Sequence, residues 1–217
     1  EALLHLGLET DTQDMTGTIL EENDYTSVTP EQIRQTVLSF VGDYMQIPPM
    51  YSALKVNGKK LYELAREGKT VERKPRLVHF FEIRVTDIKL PLVRLTVTCS
   101  KGTYIRTLCH DIGEKLGCKA AMESLIRTKV GRFDLEHAIT IAQVEKEVKS
   151  GEIEKYIIPV EQVLAEYPRV CCRKEGDRLL SNGNPIPENL VSPVEKDGWI
   201  RMCFSEGQFA GIYQWKE

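Results

Sequence analysis

The sequence of 217 residues lacks several features that would assign it to a common class. It has no apolar run of about eighteen residues, which excludes a typical membrane-spanning helix. Its first residues lack the basic and apolar regions of a signal peptide. It contains no internal repeat and no low-complexity tract. With 41% hydrophobic and 28% charged residues, the composition is that of a soluble globular protein with a sizeable core.

Metal-binding spacings are also absent. None of the six cysteines belongs to a Cys-x-x-Cys pair, and the four histidines are scattered. We therefore expect no zinc or other metal site. Reduced and mostly buried thiols favour a cytoplasmic protein.

The net charge of −3 argues weakly against a nucleic-acid partner, but the charge is unevenly distributed. Residues 55–76 hold eight basic and three acidic side chains, and residues 101–132 hold seven basic and three acidic ones. Two basic segments in an acidic protein indicate a local anionic partner. The alternative is a pair of ordinary solvated surfaces.

Apolar periodicity predicts an α+β fold. Residues 81–86 and 93–99 alternate apolar and polar side chains, which predicts an antiparallel pair with Phe81, Ile83 and Val85 on the covered face. Three helices are predicted from capping residues and apolar stripes. They begin after Thr29, Thr103 and Thr140, and the first two end at Gly42 and Gly117.

Two further segments are candidates for a site. Residues 46–68 contain Pro48-Pro49, a predicted tight turn at Asn57-Gly58 and a short helix ending at Gly68. The stretch Cys99–Thr107 places a cation, hydroxyls, an aromatic ring and a guanidinium where a strand meets a helix. Such a mixture suits a flat base on an anionic backbone. On the local pattern alone, a helix start with a packed tyrosine is the simpler interpretation.

Four motifs in one order resemble the TruB family, the bacterial tRNA pseudouridine synthases, from about residue 3 to residue 140. They are Leu6-Gly7-x-x-Thr10-Asp11-Thr12-x-Asp14-x-x-Gly17, the 46–68 segment, Cys99–Thr107 continued by Asp111-Ile112-Gly113, and Leu125-x-Arg127-Thr128. The tail, with Asn182-Gly183-x-Pro185-Ile186, resembles the family's PUA-type RNA-binding domain less closely.

The resemblance implies a mixed, largely antiparallel sheet flanked by helices, followed by a small β-rich domain. The catalytic domain would span residues 1–150 with an RNA-binding insertion at about 46–76, and the PUA-like domain would span residues 158–217. The implied partner is the T stem-loop of tRNA. We expect a monomer that binds no membrane.

The implied reaction isomerises uridine-55 (tRNA numbering) to pseudouridine. The base is flipped into a cleft and attacked by an aspartate, without a metal or organic cofactor. Tyr104 and Arg106 match the active-site tyrosine and arginine, the arginine pairing with that aspartate. Leu125 matches the leucine that packs on the flipped base. The expected RNA contacts are Tyr51, Lys55, Lys59, Lys60, Lys69, Lys74 and Lys101.

The chain departs from the family pattern at the nucleophile. The motif Gly-His-x-Gly-x-Leu-Asp-Pro is absent, and Asp11 and Asp14 belong to a different loop motif. Because the chain starts without methionine inside an expected strand, we expect the motif and a second pocket tyrosine to lie upstream. Residues 1–217 alone are then expected to bind tRNA weakly and to make no pseudouridine. Ala121 and Ile126 stand where the family usually has His and Arg.

Two other functions stay open at this point. A non-catalytic tRNA-binding or tRNA-folding protein would explain the absent aspartate, but it would not need a carboxylate's partner at Arg106. An unrelated α+β domain with incidental basic loops would not explain four motifs in register.

The basic insertion yields the first testable prediction. Changing Lys55, Lys59, Lys60, Lys69 or Lys74 to Ala should weaken tRNA binding and reduce the salt slope by roughly one unit per lost phosphate contact. Binding titrations across a salt series measure this slope. An unchanged slope would show that these lysines do not contact phosphates.

Overall fold

A computed structural model describes residues 1–56, 58–192 and 198–215 of the chain. They divide into two units, residues 1–138 and residues 139–217. The elements of the first unit are β1 (Ala2–Leu6), β2 (Leu8–Thr10), β3 (Ile19–Glu22), α1 (Pro30–Leu38), β4 (Gly42–Gln46), β5 (Lys55–Val56), β6 (Lys59–Lys60), α2 (Leu61–Arg66), β7 (Arg76–Lys89), β8 (Leu92–Cys99), α3 (Ile105–Leu116), β9 (Ala120–Leu125), β10 (Lys129–Val130) and β11 (Phe133–Asp134). The second unit contains α4 (Ile141–Ser150), α5 (Val160–Val163), β12 (Arg169–Cys171), α6 (Asp177–Ser181), β13 (Trp199–Cys203) and β14 (Phe209–Gln214), with short 3₁₀ turns at Ile153–Tyr156, Lys174–Gly176 and Glu188–Leu190.

The first unit is organised by a five-stranded sheet in the order β4-β7-β8-β1-β9. All four of its strand pairings are antiparallel. Leu4 and Phe80 from the sheet and Leu108 and Ile112 from α3 are completely buried in one core. The predicted α+β class with a largely antiparallel sheet is therefore confirmed.

The predicted helix starts are confirmed where the signal is a local cap. Thr29 Oγ1 accepts a hydrogen bond from the Gln32 N–H, and Gln32 Oε1 accepts one from the Thr29 N–H. Thr140 and Gln143 form the same capping box at the start of α4. A capping box satisfies main-chain donors that a helix leaves without partners at its first turn.

The end of α1 and the start of α3 differ from the predicted boundaries. Helix α1 ends at Leu38 with Ser39 as its C-cap, whereas Gly42 was predicted to end it. Gly42 instead opens β4, with a φ of +104° that glycine adopts more readily than other residues. The end of α3 at Gly117 is confirmed, and Tyr104 rather than Thr103 is its N-cap.

The predicted face of Phe81 is wrong. Phe81 is 61% exposed, whereas Phe80 is completely buried. A register irregularity lies between Phe80 and Glu82 where β7 pairs with β8. One extra residue in a strand moves the following side chains to the other face, so Ile83 returns to the core. Alternation in the sequence does not reveal such a bulge.

The 46–76 segment folds as a hairpin followed by a short helix. Strands β5 and β6 pair across the predicted turn, with Val56 opposite Lys59. Asn57 lies outside the described residues, and Gly58 has a φ of +83°. Helix α2 follows, and Gly68 comes shortly after its end with a φ of +73°.

The second unit has its own small core around a three-stranded sheet in the order β12-β13-β14. Strands β12 and β13 are parallel, and β13 and β14 are antiparallel. The unit includes α4, which the predicted plan placed at the end of the first domain. The described helices are all too short or too polar to cross a membrane.

Gly113 yields a stability prediction because α3 lies very close to the start of β9. A Cβ at Gly113 would collide with the main chain of Lys119 and Ala120. Overpacking typically costs 1–3 kcal/mol, so we expect Gly113→Ala to lower the free energy of unfolding by about 2 kcal/mol, even though Ala favours a helix by about 1 kcal/mol. Arg34→Ala at an exposed position of α1 is the control, with an expected change within about 0.5 kcal/mol. Urea titrations measure both, and a stabilised Gly113→Ala protein would contradict the close approach.

Candidate functional site

The first turn of α3 is held in place by a buried glutamine. The Gln46 side chain accepts a hydrogen bond from the Tyr104 N–H (2.9 Å) and donates one to the Tyr104 carbonyl oxygen (3.0 Å). Gln46 is only 1% exposed. The side-chain amide of Gln46 therefore pairs with both the N–H and the carbonyl oxygen of Tyr104, as the main chain of a neighbouring β-strand does. This contact fixes the end of β4 to the start of α3.

Arg106 lies two residues after Tyr104, in the first turn of α3, and joins two other segments. Its Nη1 donates to Asp14 Oδ2 (2.9 Å), and its Nη2 donates to the carbonyl oxygen of Tyr51 (2.5 Å). The side chains of Arg106 and Asp14 are 23% and 13% exposed. This mostly shielded ion pair connects α3 to the 11–17 loop and to the beginning of the insertion.

Asp14 is surrounded by donors from its own loop. Its Oδ1 accepts hydrogen bonds from Thr12 Oγ1 (2.9 Å) and from the N–H (3.1 Å) and hydroxyl (2.5 Å) of Thr16. Burial raises the pKa of Asp14, but the hydrogen bonds from Thr16, Thr12 and Arg106 lower it by more. The net effect is a pKa below the usual 3.8. Asp14 is therefore ionised at neutral pH. Both of its oxygens are engaged, which makes it an anchor rather than a free nucleophile.

The loop that carries Asp14 contacts both α3 and β9. Gln13 has a φ of +64°, and its side chain accepts a hydrogen bond from the Thr107 hydroxyl (2.7 Å). The main chain of Asp14 forms a parallel bridge with Met122 of β9. Non-glycine residues with positive φ are uncommon, so the loop conformation depends on these contacts.

The structure brings together only part of the predicted site. Tyr104, Arg106 and the main chain of Tyr51 converge at the start of α3. Leu125 is the last residue of β9 and is 45% exposed. Lys101 is exposed in the turn before α3. Their roles toward a base or phosphate stay predictions.

Five of the six predicted RNA-contacting lysines lie on the insertion. Lys59 and Lys69 both face Glu67, at 3.6 Å and 2.7 Å. Lys60 Nζ donates to the Tyr62 hydroxyl (3.1 Å). Exposed ion pairs contribute about 0–1 kcal/mol, so phosphates could replace Glu67 as the partner at little cost. Lys55 and Lys74 are exposed as well.

Sequence reasoning missed Asp14 and Gln46 as members of this site. Asp14 was considered only as a nucleophile and set aside because of its loop motif. Gln46 was one polar residue before two prolines. The sequence offers little signal for either residue. Gln46 is 58 positions from Tyr104 and Asp14 is 92 positions from Arg106, and no local pattern indicates that such distant residues will meet.

A second polar cluster joins β2 to the middle of α3. Glu9, His110 and Glu114 are the one group in the described chain with metal-ligand spacing. The ammonium group of Lys119 already contacts Glu9 (2.9 Å) and Glu114 (2.5 Å), and these carboxylates raise the pKa of Lys119. The cluster is therefore an ion-pair network with its cation supplied by the protein.

Comparison with protein families gives two adjacent matches. The TruB family pseudouridylate synthase N-terminal domain matches residues 1–105, and the tRNA pseudouridylate synthase B C-terminal domain matches residues 106–165. The two matches meet inside the motif that contains Tyr104 and Arg106. They extend over more than half of the chain.

Curated relatives carry the same description. A tRNA pseudouridine synthase B of Clostridium tetani is 42% identical over 213 residues, which are 98% of this chain and 72% of that protein. One from Lachnoclostridium phytofermentans is 46% identical and covers 83% of this chain, which spans 63% of its length. One from Thermotoga maritima is 40% identical over 214 residues, which are 96% of this chain and 67% of the length of that protein.

Solved structures show the same fold at lower identity. A chain of a Cbf5-Nop10-Gar1 complex superimposes with a TM-score of 0.66 at 23% identity, covering 98% of this chain and 58% of its own. A chain of an H/ACA RNP bound to a substrate RNA containing 2'-deoxyuridine gives 0.63 at 21% identity, covering 97% and 56%.

The shielded ion pair predicts a pH-dependent stability. Asp14→Asn keeps the shape but turns an amide donor toward Arg106, so we expect a loss of about 2 kcal/mol in the free energy of unfolding at pH 7. Because the folded pKa of Asp14 is lowered, the wild-type advantage is present above pH 3.8 and is lost as pH falls through the folded pKa.

The measurement is denaturant unfolding of both proteins between pH 7 and pH 3. The exposed Glu21→Gln is a matched control with the same charge change and an expected effect within about 0.5 kcal/mol. A difference between Asp14→Asn and wild type that does not shrink in acid would contradict an ionised anchor.

Proposed function

The chain belongs to the TruB family of pseudouridylate synthases, and from this premise we propose that it converts uridine-55 in the T loop of tRNA to pseudouridine. The proposal draws on relatives that are about two-fifths identical over nearly the whole chain. The reaction is an isomerisation in which the glycosidic bond is broken and remade through C5. It needs an extruded base, because the reacting atoms are not accessible in a stacked helix.

The single observation that carries the proposal is the position of Arg106. Its guanidinium is anchored by Asp14 and by the Tyr51 carbonyl at the start of α3. A guanidinium has five N–H donors, and these two contacts use two of them. Arg106 can therefore also orient a carboxylate nucleophile or a phosphate, in a fixed plane and with its own side chain immobilised.

We assign the nucleophile to a carboxylate other than Asp14. Attack on the base requires an ionised oxygen that can approach the base. Asp14 is fixed within its own loop, because its Oδ1 accepts three hydrogen bonds from Thr12 and Thr16 and its Oδ2 accepts one from Arg106. In the family, the nucleophile belongs to the motif Gly-His-x-Gly-x-Leu-Asp-Pro, and Arg106 would keep that aspartate ionised. Asp14 would hold Arg106 in position for this task.

Tyr104 and Leu125 would form the walls of the base pocket. The main chain of Tyr104 is clamped by Gln46, which restricts where the phenol ring can lie. Leu125 is half exposed at the end of β9 and offers an apolar surface to a flipped base. Stacking of an aromatic side chain on a base contributes about 1–3 kcal/mol per base.

The insertion would bind the RNA backbone, and this binding would affect the site through the contact between Tyr51 and Arg106. It carries the predicted lysine contacts and also supplies the Tyr51 carbonyl that Arg106 binds. Arg73 fastens the same segment by donating to the Pro48 carbonyl oxygen (3.2 Å). Movement of the insertion on RNA binding would therefore change the environment of Arg106.

A second function is favoured by one observation. The carboxylate that faces Arg106 in the described residues is held by three donors of its own loop, which suits a tRNA-binding or tRNA-folding protein without catalysis. Pseudouridine formation in tRNA by the purified full-length protein distinguishes the two functions. Binding without any product would support the second.

Arg106→Lys tests the proposed role of the guanidinium. Lysine keeps the charge but loses the planar fork that holds two partners, so we expect kcat to fall about 100-fold. The affinity for tRNA should change by less than about threefold, because phosphate contacts dominate binding. Single-turnover assays and binding titrations on the full-length protein measure both quantities.

Arg84→Lys is the control, since Arg84 is exposed on β7 and pairs only with nearby Glu82 among the described residues. Its turnover should match wild type. A full-length Arg106→Lys protein with wild-type kcat would remove Arg106 from the proposed mechanism.

Tyr51→Phe separates the phenol from the main chain of Tyr51. The substitution leaves the carbonyl oxygen that binds Arg106 in place, so circular dichroism should show an unchanged fold. If the hydroxyl contacts RNA, tRNA affinity should fall by about 1 kcal/mol, or roughly fivefold. Equal affinity and turnover would assign the ring to packing.

A further inference from the structure

Two cysteines of the second unit occupy directly opposite positions on neighbouring strands. Cys171 of β12 pairs with Cys203 of β13 in the parallel register. The strands are held together at this point by a hydrogen bond from the Cys172 N–H to the Cys203 carbonyl oxygen (2.9 Å). Neighbouring strands are about 4.8 Å apart, which falls within the Cα separation of about 4.4–6.8 Å that a disulfide spans.

The two thiols lie on the same face of the sheet. The preceding registered pair on that face is Arg169 and Arg201, because side chains alternate along both strands. The register therefore places the Cys171 and Cys203 side chains next to each other. Both cysteines are reduced in the structure.

Their exposure differs in a way that gives them different roles. Cys203 is completely buried, whereas Cys171 is partly exposed. Burial raises the pKa of Cys203, and the Arg169 guanidinium opposes this rise. Arg169 and Arg201 both also face Glu161, at 2.9 Å and 3.8 Å. A reagent in solution can reach Cys171 first, and Cys203 is positioned to react second.

We propose that Cys171 and Cys203 form a paired-thiol modification site that low-molecular-weight disulfides convert reversibly into an intramolecular disulfide. The Cys171 thiolate attacks one sulfur of the small disulfide, the S–S bond breaks, and one small thiol leaves. Cys203 then loses its proton to solvent and attacks the Cys171 sulfur, which releases the second small thiol. Two protein thiols are oxidised and one small disulfide is reduced to two thiols.

Cys172 is next in sequence but belongs to a different environment. Its sulfur contacts Asp177 Oδ1 (3.1 Å) and is 4% exposed within the small core. Burial and the Asp177 carboxylate raise the pKa of Cys172 to about 11. It is therefore the matched control: the same residue type, one position along the chain, without the opposite thiol.

The test exposes the folded full-length protein to 2-hydroxyethyl disulfide at neutral pH, blocks the remaining thiols and maps peptides by mass spectrometry. The predominant product should link Cys171 to Cys203, with the loss of two hydrogens, and dithiothreitol should reverse it. Cys203→Ser should stop at a mixed disulfide on Cys171. Cys171→Ser should leave Cys203 unmodified, and Cys172→Ser should behave as wild type.

Three results would overturn the proposal. One is a wild-type protein that carries only a mixed disulfide on Cys171. Another is a predominant disulfide between the adjacent Cys171 and Cys172. The third is loss of the Cys171–Cys203 linkage in Cys172→Ser. Circular dichroism of each serine variant shows whether the fold is retained, so the comparison is made between folded proteins.

Discussion

The ion pair between Arg106 and Asp14 is the contact on which the candidate site depends. Arg106 belongs to the first turn of α3, Asp14 to the loop after β2, and the second partner of Arg106 is the carbonyl oxygen of Tyr51 at the beginning of the insertion. Three segments that are far apart in sequence thus meet at one guanidinium. Removing either charge would leave the other mostly shielded from water without its partner, which underlies the loss of about 2 kcal/mol expected for Asp14→Asn.

Geometry favours arginine over lysine at this position. A planar fork can hold a carboxylate and a carbonyl oxygen at fixed angles, whereas an ammonium group is a point charge on a flexible stem. The neighbouring clamp between Gln46 and Tyr104 adds two neutral hydrogen bonds in a buried setting. Together these contacts order the start of α3 before any substrate is present. A site ordered in advance avoids losing side-chain entropy when RNA binds.

The sequence predicted those parts of the fold that depend on neighbouring residues. The capping boxes at Thr29 and Thr140 and the glycine end of α3 are local, and all three are confirmed. The exposed Phe81 and the early end of α1 were not predicted. They depend on a bulge against β8 and on the entry of Gly42 into β4, where it pairs with Phe80. Both involve partners distant in sequence.

The candidate site was also predicted only in part. Tyr104 and Arg106 stood out because one short motif carried both, and the family resemblance ordered that motif with three others. Asp14 and Gln46 did not stand out as their partners, because pairing across the fold has no local signal in a single sequence. The roles of Leu125, Lys101 and the insertion lysines toward RNA are still predictions.

A double-mutant cycle on Asp14 and Arg106 tests the central contact most directly. The free energies of unfolding of full-length wild type, Asp14→Asn, Arg106→Met and the double variant would be measured by urea titration at pH 7. If the two side chains form the shielded pair described here, the double variant should be more stable than the sum of the single effects predicts, by about 1–3 kcal/mol. Additivity within about 0.5 kcal/mol would contradict the account, because independent residues show no coupling beyond that range.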